Sequence, residues 1–162
     1  MSNKFFYSLD GPLDSMPAEG QMRCANFSSF SNLVHRSGGD ARAILERFNI
    51  TPWLIRDPDQ YIDCKSLVDV FEYCSTALND PVFGLHLAEL QEPDVYGCVT
   101  ALCRAAPTVR EAIYCFIEFI PIVHSPATFM ELIEEGETAE LRWYVHANLG
   151  KNNQANYQAV ML

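Results

Sequence analysis

From Cys24 to Val123 the apolar side chains of this chain recur at helical spacing, and after Pro126 they alternate residue by residue. The two periods, about 3.6 and 2 residues, belong to helices and to half-buried strands, and each leaves one apolar face that must be covered. A chain carrying both in this order is expected to fold as an α+β domain, a helical layer packed on a small antiparallel sheet. Its 162 residues suffice for one domain with a real core and fall short of two.

The helical part can be parsed by its stops and starts. A short amphipathic helix from Cys24 to His35 carries Phe27, Phe30, Leu33 and Val34 and ends at Gly38 and Gly39. Asp40 caps a helix with Ala41, Ile44, Leu45 and Phe48 on one face, and Asn49 suits its left-handed stop. Thr51 and Pro52 start another short helix that ends before Pro58. Asp63 opens a longer one, striped by Leu67, Val70, Phe71, Cys74 and Leu78, and Asp80-Pro81 starts the helix through Leu90.

The run GCVTALCRAAPTVREA, Gly97 to Ala112, spells two amphipathic helices joined at a capping box. Thr108 lies three residues before Glu111, where a hydroxyl can take one free helix N–H group and the carboxylate another. Pro107 disfavours helix in the residue before it, so the first helix stops near Ala106. Val99, Leu102, Cys103 and Ala106 form one stripe, and Val109, Ala112, Ile113, Phe116, Ile117 and Ile120 the next.

Beyond Pro126, Phe129, Glu131, Ile133 and Glu135 point one way and Met130, Leu132 and Glu134 the other. Glu140, Arg142, Tyr144 and His146 then alternate with Leu141, Trp143 and Val145, and Gly136 marks the tip of a hairpin. A lone hairpin is not stable in water, so this one must lie against the helices. Residues 1–22 lack sustained periodicity and are expected to form an arm, leaving 23–162 as the domain.

The balance of charge excludes several functions. Net charge is −10, with 3 lysines and 8 scattered arginines, against the clustered positive surface that a nucleic-acid backbone needs. The longest apolar stretch, Ile113 to Val123, is interrupted by Glu118 and Pro121, and there is no apolar leader, so a cytoplasmic protein without a membrane partner is expected. Six cysteines form no CxxC pair and read as reduced core thiols, with redox sensing the lesser alternative. DPDQYID, Asp57 to Asp63, lacks the glycine of a calcium loop, and His86 with Glu89 offers only two ligands, so no metal is expected. No nucleophile elbow, P-loop or dinucleotide fingerprint occurs, and neither a catalytic residue nor a cofactor is assigned.

Aromatic residues gather late in the chain: Tyr96, Tyr114, Phe116, Phe119, Phe129, Trp143 and Tyr144. They serve either as ordinary core or as the lining of a mostly apolar pocket with polar tips. The second reading places a ligand between the helix bearing Tyr114 to Ile120 and the inner face of the hairpin, held by Tyr96, Tyr114, Phe119, His124, Arg142 and Trp143.

Three segments, LIRDPDQYIDCKSLVDVF (Leu54 to Phe71), DPVFGLHLAE (Asp80 to Glu89) and the Gly97–Ala112 run, resemble the N-terminal effector domain of one branch of the AraC/XylS transcription regulators. The resemblance covers roughly Ser37 to Val123 and departs from the pattern at Thr100, where related sequences carry a second glycine. It implies a ligand-sensing and dimerisation domain that binds a small-molecule effector, forms a homodimer and contacts DNA only through a C-terminal helix-turn-helix domain absent from this chain. The end at Leu162, inside the helix-like YQAVML, agrees with a longer parent protein. The competing expectation is a protein–protein interaction module with no ligand.

Overall fold

The computed structural model describes residues 18, 20–123 and 128–145. Expectations that fall on the arm before residue 18, on His124 and His146 and on YQAVML lie outside the described residues. The elements run β1 (Gln21–Arg23), a 3-10 turn (Cys24–Phe27), α1 (Phe30–Arg36), α2 (Ala41–Arg47), a 3-10 turn (Leu54–Arg56), β2 (Tyr61–Asp63), α3 (Cys64–Ala77), α4 (Phe83–Leu90), a 3-10 turn (Pro93–Tyr96), α5 (Cys98–Ala105), α6 (Val109–Val123), β3 (Thr128–Glu135) and β4 (Thr138–Val145). They form a single α+β domain.

Local chemistry explains most of these boundaries. The Asp40 carboxylate accepts hydrogen bonds from the Arg42 and Ala43 N–H groups at 2.9 and 3.1 Å, and the Asp63 carboxylate accepts one from Ser66 at 2.9 Å. Asn49 takes the left-handed conformation at φ 57° and ends α2 as expected. Asp80 accepts from the Val82 N–H at 3.2 Å, yet α4 begins only at Phe83, so Pro81 precedes the helix instead of opening it.

Two expected helices take other forms. The Cys24–His35 pattern breaks into a 3-10 turn and α1 because Ser29, at φ 63°, stands in the left-handed region between them. The Thr51–Pro52 start yields only the turn at Leu54–Arg56. An additional sheet pairs β1 with β2 antiparallel, Met22 opposite Ile62, and both of those side chains are buried. The expected arm–domain boundary at residue 22 falls inside β1.

The main core is built around α3. Phe71 stacks on Phe30 at 6.3 Å and meets Phe27 and Phe83 at 5.7 and 6.1 Å, while Leu67, Val70 and Cys74 extend the same buried stripe. A smaller core lies where α5, α6 and β3 pack together, with Val99, Ile120 and Met130 each almost wholly buried. The hairpin pairs Met130 with Trp143, Leu132 with Leu141 and Glu135 with Thr138. Gly136 turns its tip at φ 62°, which a side chain would strain.

Candidate functional site

The seam between α6 and the hairpin follows from the two periods. Helical spacing puts Phe116 and Ile120 one turn apart on α6, and strand alternation puts Met130, Leu132 and Glu134 with Leu141 and Trp143 on one hairpin face. Glu134, a carboxylate on an otherwise apolar face, ties the seam at one end. It accepts from Arg110 Nε at 2.8 Å and from the Tyr114 hydroxyl at 3.5 Å.

Tyr96 and Trp143 are each partly buried against the main core. Tyr96 packs edge-on against Phe116, ring centroids 5.2 Å apart, and burial pushes its hydroxyl up to about 12. The Trp143 indole nitrogen is buried and has no hydrogen-bond partner among the described residues. A buried N–H left without an acceptor costs free energy, and such groups occur where water, an ion or a ligand completes the bond.

The residues expected to hold a ligand thus separate into groups. Tyr96 and Trp143 each pack against the main core; Phe119, on α6, is partly buried; Tyr114 is 47% exposed and bound to Glu134. Arg142 stands on the opposite hairpin face from Trp143, where its Nε donates to Glu140 Oε1 at 2.9 Å and holds that carboxyl below its usual range. On that outer face Phe129 and Tyr144 pack together at 5.8 Å, both substantially exposed. His124 lies outside the described residues. Sequence reasoning passed over Glu134, although a carboxylate in phase with Met130 and Leu132 was the available signal.

Two concavities lie away from the seam. One, of ≈ 560 Å³, opens beside Gly39, Asp40, Ile44, Arg47, Tyr73 and Leu78, with the Arg47 guanidinium 4.9 Å above the Tyr73 ring. The other, of ≈ 260 Å³, lies among Arg23, Ala25, Ser28, Pro58, Glu92 and Val95.

The remaining polar clusters have local partners. Asp57 accepts from the Asp59 N–H at 3.0 Å and from Gln60 Nε2 at 2.9 Å, a self-contained turn. His86 pairs through Nδ1 with Asp80 at 2.8 Å. Burial pushes the Cys24 and Cys74 thiols up to about 11 and about 12. Among the described residues no three His, Cys, Asp or Glu side chains group as metal ligands, and no helix is long and apolar enough to cross a membrane.

Residues 38–162 match the family described as the arabinose-binding domain of AraC transcription regulators, N-terminal. The HTH-type transcriptional regulator VirS from two Mycobacterium tuberculosis strains, CDC 1551 / Oshkosh and ATCC 25618 / H37Rv, is in each case 29% identical over 106 residues. That stretch is 65% of this chain and 31% of each relative, so the chain spans about a third of the length of the curated relatives it matches.

Proposed function

Because the chain belongs to the family of arabinose-binding N-terminal domains of AraC transcription regulators, we propose that it senses a small-molecule effector and, within a longer regulator, biases a helix-turn-helix DNA-binding domain. The effector is placed at the seam of α6 and the hairpin, with Tyr96, Phe119 and Trp143 as its main contacts and Tyr114 at the outer end. One observation carries this placement: the buried Trp143 N–H that meets no acceptor among the described residues. An effector with a hydrogen-bond acceptor would complete that bond and favour the arrangement in which the seam is closed. Its influence on DNA binding then equals its differential affinity for the two arrangements. No reaction is assigned to the domain.

A ligand-free dimerisation module is the second reading, supported by Leu102, Val109 and Tyr114, all exposed on α5 and α6. Both readings include a homodimer and differ in whether the seam is occupied.

Tryptophan fluorescence separates them. Trp53 is 75% exposed, so Trp53→Phe leaves Trp143 as the reporter at little cost. Amino acids, fatty acids and sugars are titrated into the full chain. Sensing predicts a saturable change in emission with one class, and an affinity about 2- to 10-fold weaker when Tyr96→Phe removes a polar tip or, followed by calorimetry, when Trp143→Phe removes the donor. Unchanged emission and unchanged melting with every class, alongside a dimer mass in native mass spectrometry, would favour the module.

A further inference from the structure

Cys103 and Cys115 meet across the α5–α6 helix pair. Cys103 Sγ donates to the Ala112 carbonyl oxygen at 3.4 Å, one helical turn before Cys115 on α6, and the Cys115 sulfur is near enough to act on the Cys103 thiol. Both residues are only partly buried, whereas Cys24, Cys64 and Cys74 are sealed in the main core. Two neighbouring sulfurs on helices that pack against each other need side-chain rotation and a small adjustment of the helices to reach bridging geometry. We propose that Cys103 and Cys115 form a reversible dithiol–disulfide pair that stitches α5 to α6 when the chain meets a hydroperoxide.

The exchange of atoms is complete with that oxidant. With hydrogen peroxide, Cys115 Sγ attacks one oxygen as its thiol gives up a proton; the O–O bond breaks, Cys115 becomes a sulfenic acid, and the departing hydroxide takes up that proton, forming water. Cys103 then attacks the sulfenic sulfur. The S–S bond forms, the S–O bond breaks, and the leaving hydroxide combines with the Cys103 proton as a second water. The two thiols lose two electrons and the peroxide gains them. Burial and the adjacent sulfur push the Cys103 thiol up, which disfavours it as the first attacker. Since Arg110 joins α6 to Glu134 on β3, the bridge would extend a single rigid unit from α5 to the hairpin.

Peptide mapping of the full chain tests this. Trypsin cuts after Lys65, Arg104, Arg110 and Arg142, so Cys103 falls in Ser66–Arg104 and Cys115 in Glu111–Arg142. After hydrogen peroxide and alkylation, the two peptides are expected as one linked species that dithiothreitol separates, with the melting temperature raised by oxidation and restored by reduction. Fragment sequencing of that species in the unmutated chain assigns the link to Cys103 and not to Cys74 or Cys98, whether or not variants fold. Cys98→Ser should retain the link, and Cys103→Ser or Cys115→Ser should abolish it. A link through Cys98 or Cys74, or peroxide products that stop at sulfinic or sulfonic acids, would overturn the proposal.

Discussion

Arg142 and Trp143 are adjacent in sequence and stand on opposite faces of the β3–β4 hairpin, one tied to Glu140 at 2.9 Å and the other packed against the core edge. Strand geometry allows nothing else, because the side-chain period is two. Aromatic and cationic neighbours that look like one binding pair in sequence therefore serve two surfaces.

This division is measurable. Trp143→Ala should destabilise the domain by about 3 kcal/mol through lost burial and the space left behind. Arg142→Ala, on a solvated ion pair, should leave stability almost unchanged. Equal costs in urea unfolding would show that the two faces are misassigned.

Phe71 contacts three other phenylalanines and is wholly buried. Phe71→Ala is expected to cost about 3–5 kcal/mol. A loss below about 1 kcal/mol, with the same denaturant slope, would place the centre of the core elsewhere.

Thr108 accepts the Glu111 N–H at 3.2 Å, while its own hydroxyl donates to the Glu111 carboxylate at 2.8 Å. Thr108→Ala should lower stability by roughly 1 kcal/mol and leave any effector response intact. Loss of response at an unchanged melting temperature would mean that the turn between α5 and α6 does more than cap a helix.

Gly97 precedes α5 at φ 59° and ψ −129°, a conformation that residues with a Cβ rarely adopt. The space around it is open, Arg23 Nη1 being the nearest neighbour at 3.7 Å, so strain and not collision sets the cost of substitution. Gly97→Ala should destabilise by about 1–3 kcal/mol. Hydrogen exchange should locate the effect in the first turn of α5; protection lost evenly across the domain would contradict this origin.

The Asp80 carboxylate raises the His86 imidazole above its ordinary value of 6.5. A group whose value rises on folding contributes stability that is fully present below its unfolded value and disappears as pH climbs through the folded one. Melting temperature should therefore drift down as pH rises above about 6.5, and His86→Gln should flatten that drift. A drift that survives the substitution, or one of opposite sign, would exclude this pair as its source.

Elements written in local chemistry were legible. The stripe of α3, the caps at Asp40 and Asp63, and the alternation that fixed the hairpin faces all appear where the sequence spacing places them. What could not be read depends on distant partners. Three residues at Gln21–Arg23 show no period, and their pairing with Tyr61–Asp63 is decided by the burial of Met22 and Ile62 against the same core. The break at Ser29 answers to the packing of Phe27 and Phe30 around Phe71, which no propensity of Ser29 announces. At the seam, aromatic crowding marks the region but not depth, so half-exposed Tyr114 and partly buried Tyr96 look alike in sequence. That the Trp143 nitrogen meets no acceptor among the described residues is a property of its surroundings alone.

The pairing of β1 with β2 also limits how far the domain can be trimmed. Cys64 N–H donates to the Gly20 carbonyl at 2.8 Å, and Cys24 N–H to the Gln60 carbonyl at 2.8 Å, so the short strand is clasped from both ends. Deletions that stop before Gly20 spare this clasp. Deletions that pass Met22 remove a wholly buried side chain and leave β2 with an open edge, a surface that invites pairing between molecules. The shortest well-behaved version of the domain therefore has its left-hand limit at a strand three residues long.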